Sequence, residues 1–511
     1  MNRTLALLVL MAAWSPVPAL AQGPPVIKIR PASEPAPAEP PPTVIKLRPA
    51  AEPVPALKYR LVPERRSLTP GNAALFYHRG ILMMMMETRS RLTPQENEPP
   101  EARAARADEL TIANWISGPI AEIPRDQARA ALEPFQAVLN EVELGAIRSD
   151  CDWGFDQRTE GISLMFPEIQ NTRSLSRLVT LRAKLAILDG KTDEAMHWIE
   201  TGLVLGRHAG QGPFVIQALV GVAIDSMMTH CLEDLIQSPG TPSLYWALAD
   251  RPRPFIDMRY PMEGERYVLE KELPELNELD QGPWSLDQAQ RFADELQRKL
   301  FRLAAGEPIP GINVAVPMDM PATARRLGIA AMAAKVYPEA RRSLIAGGRP
   351  EAQVEAMPII QVAALYSILE YQRMRDDSYK WMNLPYWQSY GQLDQSALNR
   401  KDEKFANPLL ALFRLLTPGL NQVRLATVRL DRQLDALQCI EAIRLYAEAH
   451  QGALPPTLDA LNDAPAPLDP ATGTPFHYTV DGDSATLSAP LIPGARDHHS
   501  YKVRYILKLV K

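Results

Sequence analysis

Residues Ser174–His208 read SLSRLVTLRAKLAILDGKTDEAMHWIETGLVLGRH, and this stretch decides the fold class. Its first half spaces leucines three and four residues apart, which predicts a helix with one apolar face. Those leucines are Leu175, Leu178, Leu181, Leu185 and Leu188. Gly190 then ends the first helix, and the residues after it predict a second one. Two helices joined by a tight turn form an αα-hairpin, so the stretch predicts a mainly α body.

The hairpin also resembles one unit of a tetratricopeptide repeat. GKTDEA resembles the GDYEEA turn of that family, and small and large residues fall near the family's packing positions. They are Ala183, Gly190, Ala195, Ile199 and Gly202. The match covers a single unit of roughly 34 residues. The resemblance therefore implies a repeat-like hairpin and not an array of repeats.

Working outward, residues 57–424 read as a multi-helix body. SLDQAQRFADELQRKLFRL begins with a capping box, Ser285 to Gln288, and further helical stretches follow it. The proline-bearing region 308–321 predicts a loop and a soft boundary. The longest internal apolar run, Phe214–Ile224, is shorter than the ~20 residues of a membrane span. We therefore expect a buried helix there and no transmembrane segment in the mature chain.

The pattern changes at residue 425, after which a small α+β module is predicted. A helical stripe is followed by two short strands around the Asp481-Gly482 turn, which is a β-hairpin signal. The final stretch, SYKVRYILKLV, alternates strictly and predicts a half-buried strand. Its apolar positions are Tyr501, Val503, Tyr505, Leu507 and Leu509. Residues 425–511 thus combine one long helix with a short antiparallel sheet.

This module resembles the globular head of type II secretion pseudopilins. The shared motif is G-x-[LY]-P-x-x-L followed by D-P-x-G-x-P-[FY]-x-Y. The matching residues are Gly452, Leu454, Pro455, Leu458, Asp469, Pro470, Gly473, Pro475, Phe476 and Tyr478. The resemblance implies a shared fold, but charges such as Asp431 and Arg432 keep this helix out of a membrane. The whole chain is also similar to uncharacterised exported proteins of planctomycete-type bacteria, which implies export and no known activity.

The chain begins with MNRTLALLVLMAAWSPVPALAQ, which has the features of a secretory signal peptide. Arg3 gives a positive start, a short apolar run follows, and Ala19-Leu20-Ala21 fits a cleavage site. Residues 1–21 are therefore predicted to be removed. The mature protein is expected to be periplasmic or extracellular.

One basic, proline-rich phrase occurs twice between residues 22 and 56. VIKIRPASEPAPA (Val26–Ala38) recurs as VIKLRPAAEPVPA (Val44–Ala56), with ten of thirteen positions identical. The prolines predict an extended polyproline II linker. In one interpretation the duplication only lengthens a spacer. In the other, each copy is a docking motif that adds to a partner's sheet edge or meets an anionic polymer. The cations concerned are Lys28, Arg30, Lys46 and Arg48.

Charge and cysteine content limit the partners and the covalent structure. The formal net charge of −5 argues against a general nucleic-acid binder, which would show a basic face. Three cysteines are too few for a disulfide framework. Two alternatives stay open: a single Cys151–Cys231 bridge, or three small buried thiols.

Asp150, Asp152 and Glu160 are the candidate metal ligands, because DCDWGFDQRTEG begins like a calcium loop. The segment departs from the EF-hand pattern, since Gly154 stands at the third ligand position. Helix-capping aspartates are the alternative. No motif of a zinc, nucleotide or serine-nucleophile site is present, and no cofactor is predicted.

YKWMNLPYWQSYGQ clusters aromatic residues that predict either a ligand surface or buried packing. They are Tyr379, Trp381, Tyr386, Trp387 and Tyr390. The first functional hypothesis is an exported, non-catalytic scaffold that binds a protein or polymer of the cell envelope. The second is an exported enzyme on an α-helical fold that acts on glycans with two converging carboxylates. The third is an accessory component of a secretion or pilus-like machine.

Overall fold

The computed structural model describes residues 42–92, 109–154, 166–264, 273–304, 322–395, 407, 409–410 and 420–510. Four sequence-based predictions fall outside them: the signal peptide, the first copy of the doubled phrase with Lys28 and Arg30, Glu160 and the loop at 308–321. The described residues form mostly helices and one four-stranded sheet near the C-terminus. The predicted fold class, mainly α with a small α+β module, is confirmed.

The elements follow one another in chain order. The first ten are β1 (Thr43–Leu47), β2 (Thr69–Asn72), α1 (Ala74–Leu92), α2 (Glu109–Ser117), α3 (Arg125–Leu132), α4 (Gln136–Ala146), β3 (Arg148–Asp150), α5 (Phe166–Leu188), α6 (Thr192–Gly210) and α7 (Val215–Ile236). The next ten are α8 (Tyr245–Ala249), α9 (Leu286–Ala304), α10 (Ala322–Ala346), α11 (Glu351–Ala356), α12 (Ile359–Tyr379), α13 (Tyr386–Gln395), α14 (Leu420–Ala449), β4 (His477–Asp481), β5 (Ser484–Ala489) and β6 (Val503–Leu509). Short 3-10 helices join them at Ile120–Glu122, Glu133–Phe135, Pro274–Glu278, Lys380–Asn383, Leu458–Ala460 and His499–Tyr501.

The predicted αα-hairpin is present as α5 and α6, and α7 packs against both. Gly190 has a φ of +68°, which suits a glycine after a helix end. The N–H of Lys191 donates to the Ala186 carbonyl at 3.0 Å, which closes the last turn of α5. Leu175, Leu178, Leu181 and Leu185 of α5 are buried, as the spacing predicts, and Leu188 is half-buried.

Glycines set the close approach of α6 and α7. A Cβ on Gly221 would lie 2.5 Å from the carbonyl oxygen of Gly206 and 2.9 Å from the Cα of Gly210. A Cβ on Gly202 would instead meet the flexible thioether of Met228. The two helices therefore touch backbone to backbone along one seam.

Two short strands in the body were not predicted from the sequence. β2 and β3 form a parallel pair, with Thr69 opposite Arg148 and Asn72 opposite Asp150. Their sequences, TPGN and RSD, have no apolar alternation, because both are largely exposed. The pair fixes the chain before α1 beside the end of α4.

Two main apolar clusters hold the helices. The main core takes its buried residues from α1, α4, α5, α6, α7, α14 and the four-stranded sheet. A second core joins α9, α10 and α12 with the Pro274–Glu278 turn. The predicted capping box opens α9: the N–H of Gln288 donates to Ser285 Oγ at 3.3 Å, and the N–H of Ser285 to Gln288 Oε1 at 2.9 Å.

The C-terminal sheet has the order β1-β6-β5-β4. β4 and β5 are antiparallel around the predicted turn, where Gly482 has a φ of +58°. β6 buries Val503, Tyr505 and Leu507 and exposes Arg504, as the alternation predicts. The hairpin and the final strand are confirmed.

The prediction that residues 22–56 form a polyproline II linker is wrong for Thr43–Leu47. These residues are the edge strand β1, parallel to β6, with Thr43 opposite Tyr505. The segment TVIKL contains no proline and alternates, so Ile45 and Leu47 are buried while Lys46 is exposed. An edge position tolerates the flanking prolines, because only one side of the strand must donate hydrogen bonds.

The predicted boundary between residues 424 and 425 falls inside α14. This helix begins at Leu420, and its buried residues belong to the same core as α5–α7 and the sheet. The helix and sheet predicted as a separate module are therefore packed into the helical body.

α7 is long and apolar enough to cross a membrane by length and composition, alone among the helices of the described residues. Its most apolar window is 78% buried inside the protein. Core helices of soluble proteins pass the same test, and the predicted buried helix at Phe214–Ile224 lies almost wholly within α7.

Candidate functional site

Residues 42–72 form an N-terminal strap that crosses the molecule from the C-terminal sheet to the helical body. Hydrogen bonds to its backbone hold its first part. Arg444 Nε donates to the Arg48 carbonyl at 2.9 Å, and the Ala50 N–H donates to the Arg444 carbonyl at 3.3 Å. The Ser243 N–H donates to the Ala51 carbonyl at 2.8 Å. The strap is thus part of the fold.

Three further hydrogen bonds complete this attachment. Arg48 Nη1 donates to the carbonyl of Gln237 at 2.8 Å, and the Lys46 N–H donates to Gln237 Oε1 at 3.2 Å. Trp246 Nε1 donates to Glu52 Oε1 at 2.7 Å. Of the two described cations predicted to dock a partner, Arg48 binds the body of its own chain. The Lys46 side chain faces solvent.

The middle of the strap is anchored to the start of α6. Tyr59 is buried and its hydroxyl donates to Asp193 Oδ1. Lys58 Nζ lies 2.7 Å from the same oxygen. The hydrogen bonds from Lys58 and Tyr59 lower the pKa of the Asp193 carboxyl. This anchor fixes the position of the residues that follow.

Those following residues form an open recess of about 420 Å³, the arginine groove. It is lined by Arg60, Val62, Pro63, Glu64, Arg65, Arg66, Asp250 and Pro252. Arg60 Nη2 lies 2.6 Å from Glu64 Oε1, and Arg60 also pairs with Asp250. The two acids of the groove are therefore both engaged by one arginine.

Arg65 and Arg66 are the remaining cations of the groove. Both are exposed, and no described residue pairs with either of them. Guanidinium groups bind carboxylates and phosphates through paired N–H donors. The groove can thus take an anionic group. Sequence analysis missed it because the strap and the end of α8 meet only in the fold, although the RR pair in VPERRS was a visible signal.

The calcium-like loop is held by hydrogen bonds to the backbone of Asp150 and to the carboxylate of Asp152. The Ala73 N–H donates to the Asp150 carbonyl at 2.7 Å, and the Gly154 N–H donates to Asp152 Oδ1 at 2.9 Å. Glu160 lies outside the described residues. Within the residues that the structure describes, no three His, Cys, Asp or Glu side chains are grouped so as to hold a metal ion.

The predicted aromatic surface is divided between core and exterior. Tyr379 and Tyr386 are buried, and the Tyr386 hydroxyl donates to the carbonyl of Pro493. Trp381 is half-buried, and its carbonyl accepts a hydrogen bond from Arg424 Nη1 at 2.6 Å. These three residues pack the Tyr379–Asn383 segment and α13 against α14 and the C-terminal loops.

Trp387 and Tyr390 remain partly exposed, at 44% and 37%. A Cβ on Gly473 would lie 2.6 Å from the Trp387 ring, so the turn at Gly473 covers one face of the indole. Tyr390 stacks on Tyr386 with ring centroids 5.8 Å apart. Neither aromatic residue lines the arginine groove.

The three cysteines are free, so the structure has no Cys151–Cys231 bridge. Cys231 and Cys439 are buried, and Cys151 is half-buried. Burial raises the pKa of the Cys231 thiol to about 12. These thiols are protonated apolar groups of the core, which is the second of the two alternatives.

Charged residues of α14 are buried in ion pairs. Arg432 Nη2 lies 2.7 Å from Asp469 Oδ2, and both side chains are 1% exposed. Arg251 Nη2 lies 2.6 Å from Asp435 Oδ1. Such pairs survive burial only with good geometry and further hydrogen bonds. They connect α14 to the loop before the sheet and to the segment after α8.

Two buried carboxyl groups lie where α7 and α14 meet the segment after α8. Asp431 accepts a hydrogen bond from the Phe255 N–H at 2.9 Å, and burial raises its pKa to about 7. Burial also raises the pKa of Asp225 well above its ordinary value. Neither Asp225 oxygen has a hydrogen-bond partner among the described residues. Both carboxyl groups therefore hold a proton to higher pH than an ordinary aspartate does.

The described residues of the sites predicted from sequence thus make local hydrogen bonds, pack in the fold or lie partly exposed, and the arginine groove is an open recess lined by charged side chains. Glu160 and the first docking motif lie outside the described residues. Comparison with protein-family models, curated proteins and solved structures finds no match to this chain. The geometry of the groove therefore carries the functional argument.

Proposed function

We propose that the chain is an exported, non-catalytic interaction protein of the cell envelope that holds an anionic polymer in the arginine groove. The observation that supports this function is the pair of exposed cations, Arg65 and Arg66, beside a recess whose acids are already engaged by Arg60. The groove has three arginines and two acids, so its formal charge is +1 on a chain of net charge −5.

The groove is suited to many weak contacts along an extended ligand. It is open, and its apolar lining is limited to Val62 and two prolines. Exposed charge pairs contribute little individually and are screened by salt. A polymer that presents repeated carboxylates or phosphates gains affinity by rebinding at adjacent units. The polymers that fit this chemistry are anionic components of the envelope.

Binding of polyglutamate and of inorganic polyphosphate to the mature protein tests the proposal. The double variant Arg65→Glu, Arg66→Glu should bind at least ~10-fold more weakly, because it reverses the charges at the groove. The matched control is Arg342→Glu, Arg496→Glu, which reverses two exposed arginines elsewhere. Equal loss in both variants would show that only net charge matters and would contradict a site at the groove.

Export has its own test. The protein expressed with residues 1–21 should be recovered outside the cytoplasm with Gln22 as its first residue, measured by mass spectrometry of the N-terminus. Recovery of a cytoplasmic protein that keeps its first 21 residues would contradict the envelope location.

A further inference from the structure

The described residues include only the second copy of the doubled phrase, Val44–Ala56. Its contacts show which interactions the first copy would have to make in order to take its place. Five contact residues of the strap have an identical residue eighteen positions earlier. The pairs are Ile45 and Ile27, Lys46 and Lys28, Arg48 and Arg30, Ala50 and Ala32, and Glu52 and Glu34. In the structure these contacts are the buried Ile45 side chain, the bonds to Gln237, the Ala50 N–H bond and the Glu52 bond to Trp246.

The two copies differ at three positions, and at each of them the residue of the first copy can make the same contact. Leu47 is fully buried and corresponds to Ile29, a swap of equal volume. Ala51 is exposed and binds through its carbonyl, which Ser33 also possesses. Val54 is 92% exposed and corresponds to Ala36. Within residues 44–54 the first copy thus preserves the contact groups of the second, and Pro25 stands where Thr43 begins β1.

We propose that the strap groove is a docking site for either copy, and that residues 26–34 occupy it in exchange with residues 44–52 of the same molecule. The strap groove consists of the edge of β6 that pairs with β1, together with Gln237, Ser243, Trp246 and Arg444, which contact residues 44–52 in the structure. The inference does not depend on the arginine groove.

We favour a first copy from the same molecule over one from a second molecule, because the two copies are joined by a short stretch of chain. The connection gives the first copy a high effective concentration at the groove. Docking of the first copy lengthens the connection to Tyr59 by eighteen residues. Loop-closure entropy grows only slowly with length, so this adds a small cost. Each chain then has two matching segments for one groove, and one segment is always left to meet a partner.

Four full-length mature proteins test the exchange: the parent, Ile27→Asp with Ile29→Asp, Ile45→Asp with Leu47→Asp, and all four changes together. If either copy can fill the strap groove, the Tm of each double variant stays within a few degrees of the Tm of the parent. The quadruple variant should lose roughly 10 °C, because it buries carboxylates or leaves the groove empty. Equal loss in the second double variant and the quadruple variant would overturn the proposal. The same series with alanine covers the case in which the aspartate variants do not fold.

Cross-linking provides a second readout. Val44 lies opposite Ile506, so Val44→Cys with Ile506→Cys should form an intramolecular disulfide on mild oxidation. Exchange places Val26 opposite the same residue, so Val26→Cys with Ile506→Cys should also cross-link within one chain. The absence of this second cross-link would overturn the exchange. A cross-linked dimer in place of the intramolecular product would overturn the assignment to the same molecule.

Discussion

Single glycines determine how closely α6 and α7 approach. Gly221→Ala should lower the free energy of unfolding by roughly 1–3 kcal/mol, because its Cβ would meet the backbone of Gly206 and Gly210. Gly202→Ala is the matched change, and it should cost less than ~1 kcal/mol after its helix-propensity gain, because only the flexible Met228 side chain must move. Urea unfolding measures both values. Equal costs would contradict a backbone contact at Gly221.

At the same scale, one carboxyl group should shape the pH dependence of stability. Burial raises the pKa of Asp431 to about 7, whereas an unfolded aspartate has a pKa of about 3.9. Between these values the folded state holds a proton that the unfolded state has released, so this group makes stability fall as pH rises. Asp431→Asn removes this contribution to the decrease in stability with rising pH. The asparagine amide oxygen can still accept a hydrogen bond from the Phe255 N–H.

The stability of the Asp431→Asn variant relative to the parent should therefore increase by roughly 3 kcal/mol between pH 4 and pH 7. Urea unfolding at several pH values measures the difference. Asp126→Asn, at a carboxylate whose side chain is 98% exposed, is the control and should leave the profile nearly unchanged. A constant difference between Asp431→Asn and the parent across this range would contradict the raised pKa.

At the scale of elements, the Arg432–Asp469 pair joins α14 to the loop before the sheet. Arg432→Met should lower stability by roughly 3–5 kcal/mol, because it leaves the Asp469 carboxylate buried without its partner. Adding Asp469→Asn should recover a large part of the loss, since the amide keeps the capping bond from the Ala471 N–H. A double-mutant cycle from chemical denaturation measures the coupling. Simple additivity of the two changes would contradict a direct pair.

Sequence periodicity predicted the elements that bury one face along their own length. The leucines of α5 and the alternation of β6 were sufficient, because burial of a helix face or a strand face leaves a local pattern. β1 was missed because prolines surround a five-residue strand whose partner lies near the other end of the chain. The arginine groove was missed for a similar reason: Arg60 and Asp250 meet only through folding. The aromatic cluster was visible, but composition could not divide buried from exposed rings.

At the scale of the whole molecule, the sheet and the helical hairpin share one core and should open together. Leu507 is fully buried in that core, so Leu507→Ala should lower the hydrogen-exchange protection of α6 as well as β6. Leu365→Ala in the second core is the control, and it should reduce protection mainly in α10 and α12. Loss of protection confined to β4–β6 would contradict the shared core and indicate an independent module.

The parallel pairing of β1 with β6 also sets the timing of folding during synthesis. Thr43 is made long before its partner Tyr505, because almost the whole helical body lies between them in sequence. Contacts between residues so distant in sequence form slowly. The sheet cannot close while any part of the C-terminal strand is still in the ribosome or in a translocation channel. A chain that crossed a membrane unfolded would therefore complete this sheet only after β6 had crossed.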